Sequence, residues 1–181
     1  MTSHPEPRRN FLAASLAVVI GGIVTAVPVF SGLWVFTDPL RRKGAASGMV
    51  RVASLESVPD DGLPKLFSIV QDRNDAWNLY KNEPVGSVYI SRKPQTKDLT
   101  VFQSCCPHAG CAVGYSGESK KFLCPCHNSA FQLDGEMIQP SPSPRPLDTL
   151  KYEIRGEAGK EEIWVLYENF KTGVAEKTVL V

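Results

Sequence analysis

Hydrophobic positions follow two regimes along the chain. From Phe11 to Phe36 no charged residue appears (FLAASLAVVIGGIVTAVPVFSGLWVF). Beyond Met49 the apolar positions come in short alternating or β-branched patches: Val50–Ala53, Leu66–Val70, Val85–Ser91, Leu99–Gln103, Leu150–Arg155 and Ile163–Tyr167. Turn formers such as Pro59-Asp60-Asp61-Gly62 and Gly156-Glu157-Ala158-Gly159 separate them. The first regime predicts one long helix. The second has period two and no sustained period of 3.6, so it predicts a mostly β head over residues 50–181.

As a helix the 26-residue run would reach about 39 Å, enough for one tilted crossing of a hydrocarbon core about 30 Å thick. Residues 11–36 are therefore expected to be a transmembrane anchor, with Pro28 marking a kink or an effective end. The alternative is a cleavable signal peptide. Such peptides carry an apolar stretch of about 7–15 residues closed by a small-residue site, and this run is longer and lacks one. Ahead of it, in residues 1–10, stands Arg8-Arg9-Asn10-Phe11-Leu12. This resembles the twin-arginine export signal, although Pro7 and Ala13 replace its usual hydroxyl residue and lysine. A chance arginine pair is the alternative. Flanking charge does not fix orientation, because Arg8 and Arg9 face Arg41, Arg42 and Lys43 across the run. The export reading places the N-terminus in the cytoplasm and the head on the periplasmic side of the cytoplasmic membrane. Residues 37–49, charged and then rich in Gly, Ala and Ser, read as a linker or hinge.

Composition adds two exclusions. Lys and Arg number 20 against 19 Asp and Glu, and residues 44–181 alone hold 15 against 17, so the head has no basic excess for nucleic acid. A hydrophobic share of 43 % is too high for a disordered chain.

Chemistry concentrates in one place. All five Cys lie between Cys105 and Cys126, and two of the three His sit among them. Such crowding points to one local site rather than a disulfide framework. Two boxes carry it, Cys105-Cys106-Pro107-His108-Ala109-Gly110-Cys111 and Cys124-Pro125-Cys126-His127-Asn128-Ser129. Thiolate and imidazole together suit zinc or iron–sulfur chemistry.

Cys-x-His-x-x-Cys followed by Cys-Pro-Cys-His-x-Ser resembles the Rieske [2Fe–2S] proteins of quinol–cytochrome c oxidoreductases, the cytochrome bc complexes. The resemblance is strong in the boxes, extends to the order of anchor, linker, β head and proline-rich segment, and is weak over residues 50–100. It implies an all-β head of antiparallel sheets with a small cluster-binding subdomain over about residues 104–146. It implies one [2Fe–2S] cluster, with Cys106 and Cys124 on one iron and His108 and His127 on the other. It implies a Cys111–Cys126 disulfide tying the loops, and a proline-rich loop, Pro140–Pro146, whose Pro142 and Pro144 cover the cluster. His127 would contact quinol and accept its proton. The partners would be a cytochrome b subunit with its quinol, a c-type cytochrome and the lipid bilayer. Two neutral imidazoles in place of two thiolates make such a centre less negative, which raises its potential above that of plant-type ferredoxins.

Three features depart from, or are extra to, that pattern. Asn128 stands where Gly is usual, which fits a backbone needing positive φ. Ser129 keeps a hydroxyl that would donate to sulfur, whereas Phe131 lacks the one the family often aims at a ligand sulfur. Lost donors lower the potential, so an intermediate value is expected, suited to a quinol such as menaquinol. Cys105 is extra. Cys105-x-x-His108 repeats the spacing of Cys124-x-x-His127, so it competes as a ligand, and the family pattern favours Cys106 with Cys105 as a free thiol. Two rival readings stand beside this one: the small Rieske subunit of a periplasmic oxidase such as arsenite oxidase, and a zinc-stabilised β binding module without redox function.

Overall fold

A computed structural model describes residues 8–41, 48–74 and 78–180. The chain forms two compact units, an N-terminal helical one and a β head.

Helix α1 runs from Arg8 to Arg41 without a break at Pro28. Within its span Asn10–Asp38 an 18-residue stretch reaches a mean hydropathy of 2.3 and is unburied within the protein, so the helix is long and apolar enough to cross a membrane once. Its hydroxyls turn back onto the helix: Thr25 Oγ1 donates to Gly21 O at 2.8 Å and Thr37 Oγ1 to Leu33 O at 2.9 Å. That satisfies groups that lipid could not. The helix continues past Phe36, where a linker was expected. The Thr37 back-bond and the Arg41 guanidinium stacked 3.9 Å from the Trp34 ring hold the extra turn. Residues 1–7, the side chains of Arg8 and Arg9, and linker residues 42–47 lie outside the described part, and the export-signal reading with them.

The head is built on two three-stranded antiparallel sheets. One orders β1 (Met49–Ser54), β10 (Glu162–Leu166) and β9 (Tyr152–Arg155). The other orders β2 (Lys65–Asn74), β3 (Leu79–Arg92) and β4 (Leu99–Gln103). Alternation does what the sequence pattern predicts: on β10, Ile163 and Val165 are fully buried while Trp164 lies between them on the other face. Ile69, Val88, Ile90 and Val101 from the second sheet meet Ile163 and Val165 in one core.

A third sheet carries the boxes. It orders β5 (Gly114–Ser116), β6 (Lys121–Leu123), β7 (Ala130–Phe131) and β8 (Met137–Ile138), all antiparallel. Strands of two or three residues show no readable alternation, so the sequence pattern missed them. Their inner face forms a separate core, where Phe122 and Phe131 are fully buried with Cys106 and Cys124. Tyr89 of β3 pins this layer to the larger sheet: its hydroxyl donates to Val113 O at 3.0 Å and accepts from Tyr115 N at 3.1 Å.

Candidate metal centre

The two Cys–His boxes are two loops of one design. In the first, Cys106 N donates to Cys111 O at 2.8 Å and Gly110 N donates to Cys106 O at 2.9 Å. In the second, Cys124 N donates to Ser129 O at 2.8 Å and Asn128 N donates to Cys124 O at 3.1 Å. Both loops need a left-handed residue at the fifth position, and it is Gly110 (φ 80°) in one and Asn128 (φ 59°) in the other. The expectation of positive φ at Asn128 is met.

The loops face each other. Cys111 and Cys126 are joined in a disulfide, with Cα atoms 6.6 Å apart. The rings of His108 and His127 stand nearly perpendicular with centroids 4.7 Å apart. Cys106 and Cys124 lie beneath, 1 % and 2 % exposed. Burial pushes the Cys106 thiol up, as does the adjacent Cys124, while the backbone of His108 and the hydroxyl of Ser129 pull it down. Sulfurs of Cys111, Cys124 and Cys126 also lie within 4.8 Å of one another, but the disulfide consumes two of them. The free thiols are Cys105, Cys106 and Cys124.

Two buried polar atoms at this site have no partner among the described residues: Nδ1 of His108 and Oγ of Ser129. An orphaned buried nitrogen or hydroxyl is costly unless something meets it. Ser129 lies close enough to Cys106 to lower its pKa, yet makes no hydrogen bond of normal geometry. A group holding both iron and sulfur would meet both, the metal taking the nitrogen and sulfur the hydroxyl, so the residues fit a mixed-ligand iron–sulfur centre. Tyr115, whose hydroxyl is also buried and unpartnered in this core, drew no notice in the sequence because a tyrosine in a short patch reads as packing.

The remaining predicted residues separate. His127 is exposed, whereas His108 is half-buried. Phe131 is fully buried against Phe122 across the β6–β7 pair. Cys105 is half-buried, its thiol donates to Gly110 O at 3.1 Å, and burial followed by Asp148 pushes its pKa up. In the proline-rich segment Pro142 is exposed and Pro144 half-buried, while the buried members are Ser143 and Arg145.

Residues 50–151 match the Rieske [2Fe–2S] domain family. The chain belongs to that family. Its head therefore has the Rieske fold and carries a Rieske-type [2Fe–2S] cluster. The match covers both loops and the second core, and stops short of Ile163 and Val165 in the first. Among relatives of known role, the menaquinol:cytochrome c reductase iron–sulfur subunit of Geobacillus thermodenitrificans is 30 % identical over 155 residues, covering 84 % of this chain and 88 % of that one. The subunit of the same name from Bacillus subtilis is 28 % identical, covering 84 % and 89 %. The cytochrome b6-f complex iron–sulfur subunit of Chlorobaculum thiosulfatiphilum is 29 % identical, covering 83 % and 72 %.

Proposed function

We propose that this Rieske protein is the membrane-anchored iron–sulfur subunit of a quinol–cytochrome c oxidoreductase, and that it carries one electron from quinol to a c-type haem. The observation that carries the proposal is the pair of facing loops with one imidazole exposed and one shielded. The similarity to two menaquinol:cytochrome c reductase subunits over most of both chains supports it and favours it over the periplasmic-oxidase reading. Zinc is disfavoured by the disulfide, which leaves Cys111 and Cys126 no thiolate to offer.

Cys106 and Cys124 would hold one iron, and His108 and His127 the other. His108 would bind through Nδ1, its buried unpartnered nitrogen. When bound, the cluster supplies a one-electron carrier whose potential the two imidazoles raise. The protein does the rest. The disulfide holds the loops together. The fully buried, unpartnered Ser129 hydroxyl would donate towards sulfur. Exposed His127 takes the proton that leaves quinol with the electron, at the ring nitrogen facing solvent. Beside the second loop a cleft of about 640 Å³, lined by Leu66, Tyr89, Leu123 and Pro125, offers an apolar surface for a cytochrome b subunit and its menaquinol. Helix α1 would anchor the subunit in the cytoplasmic membrane with its N-terminus in the cytoplasm and its head in the periplasm.

Native purification from detergent-solubilised membranes tests this. The protein should carry two irons and two acid-labile sulfides, give the rhombic EPR signal of a reduced Rieske centre, co-purify with cytochromes b and c, and become reduced by menaquinol. Stoichiometric zinc without iron, or a soluble chain partnered by a large oxidase subunit, would overturn it.

A further inference from the structure

The two ligand loops are alike in backbone but not in support. The second is the connection of a hairpin: Leu123 pairs with Ala130 and Phe122 with Phe131 immediately outside it. The first has only the isolated bridge Cys105↔Ala112 at its base. Besides the disulfide to the second loop, it is supported from the far end of the chain. Residues 169–180 fold into a small hairpin, with Lys171 N donating to Thr178 O at 2.8 Å and Leu180 N to Asn169 O at 2.7 Å. The turn of this hairpin rests on the first loop. Gly173 N donates to Pro107 O at 2.9 Å, one residue before His108. A Cβ on Gly173 would stand 3.6 Å from His108 O, and one on Gly110 would stand 3.7 Å from Thr172 Cγ2.

An isolated two-stranded hairpin is marginal in water, and this one buries only Phe170 among its apolar side chains. Lys177 Nζ donates to Thr149 O at 2.5 Å and Gln103 Nε2 to Asn169 Oδ1 at 3.0 Å, while the turn of the hairpin is held by Arg145. Its guanidinium, 6 % exposed, takes Asp148 in a two-pronged ion pair, Nε to Oδ1 at 2.9 Å and Nη2 to Oδ2 at 2.8 Å. The remaining donors reach the hairpin turn: Nη1 to Val174 O at 2.5 Å and Nη2 to Lys171 O at 2.9 Å. These two carbonyls bracket Thr172 and Gly173, the residues that touch the first loop. A planar fork fixed by a buried carboxylate can place two carbonyls at once, which a lysine cannot.

We propose that Arg145, set by Asp148, is a positioning residue for His108: it clamps the C-terminal hairpin against the back of the first ligand loop and so fixes where that imidazole stands. The proposal rests on the ligand reading above. The hairpin is thereby a part of the metal centre, and residues 171–180 hold a loop more than sixty positions earlier in the chain.

The test uses the full chain, iron-loaded and in detergent, with hydrogen exchange read by mass spectrometry on peptides covering residues 105–111 and 124–129. Arg145→Gln combined with Asp148→Asn removes the clamp without leaving a buried charge. First-loop amides should exchange roughly tenfold faster, as for loss of one net hydrogen bond, while the second loop stays unchanged. A chain ending at Phe170 keeps the ion pair and loses the hairpin, and it should show the same asymmetry. Adding the double substitution to that shortened chain should add nothing. The reduction potential by voltammetry should shift by the same amount in all three variants, with two irons retained. Equal loosening of both loops, no loosening, or effects that add in the shortened chain would overturn the proposal. If the double substitution does not fold, the shortened chain alone decides: an unchanged first loop there is a refutation. A parent chain without two irons would overturn the ligand reading instead.

Discussion

Asn128 offers a clean perturbation of the second ligand loop. Its φ of 59° lies in the left-handed region, its amide donates to Cys124 O at 3.1 Å, and its side chain is exposed. Substitution there changes backbone preference and little else. Alanine pays the clash of Cβ with the following carbonyl, about 1 kcal/mol more than asparagine, which tolerates this region. Glycine has no clash, but its freer unfolded chain offsets much of that gain, so it should stay within about 0.5 kcal/mol of the parent. For a domain of this size 1 kcal/mol moves the melting temperature by roughly 3–5 °C. Asn128→Ala should therefore melt that much lower, and Asn128→Gly close to the parent. The assay is thermal unfolding of the full iron-loaded chain in detergent, with loss of the visible cluster absorption followed in parallel. His127 immediately precedes the strained residue, so cluster loss should follow the same order. Alanine as stable as asparagine would refute the reasoning. Glycine falling as far as alanine would do so too, because it would assign the effect to side-chain contacts of Asn128.

Cys111→Ser opens a link across 15 positions, for which chain entropy gives about 3 kcal/mol, so stability and iron content should both fall; unchanged values would show that the link does not hold the loops. Ser129→Ala should lower the reduction potential and Phe131→Tyr should raise it, each by roughly 40 mV for a hydrogen bond of about 1 kcal/mol; unshifted voltammograms for both would mean that neither position faces the cluster. The mature protein should need detergent for extraction and begin at or near residue 1, and a soluble product starting beyond Pro28 would assign α1 to a cleaved signal.

Legibility in the sequence followed the length over which a pattern repeats. Strands β1, β4, β9 and β10, the last with Ile163 and Val165 inward, could be placed within a residue or two because alternation has room to show, whereas β2 runs four residues past its patch and β3 begins six before its own. The two- and three-residue strands β5 to β8 could not, although they frame the loops that matter most. The Cys–His boxes were readable because their spacing is local and their likeness to a family is specific. Arg145 was invisible for the opposite reason. Its neighbours are prolines, which drew the reading towards a stiff cover over the site, and its partners at Lys171 and Val174 are set by tertiary approach alone. The helix end was misplaced by one turn because a back-bonded Thr37 and a stacked Arg41 extend a helix that hydropathy had ended at Phe36.

One residue of offset separates the two histidines. Matching the loops by their hydrogen bonds sets Cys106 against Cys124, Gly110 against Asn128 and Cys111 against Ser129. In that register His108 falls opposite Cys126, and His127 falls opposite Ala109. The loops thus share a backbone while their imidazoles leave it at successive positions. A shift of one place in a tight turn swings the side chain to a different side of it. This accounts for two rings 4.7 Å apart meeting edge to face rather than stacked in parallel, and for their unequal exposure. The same offset leaves the third position of the second loop free for Cys126, which reaches the sixth position of the first loop, Cys111, in the disulfide. A symmetric placement of the histidines would take that position, and the link between the loops with it. The asymmetry that exposes His127 and shields His108 therefore comes from the same sequence register that allows the two loops to be tied together.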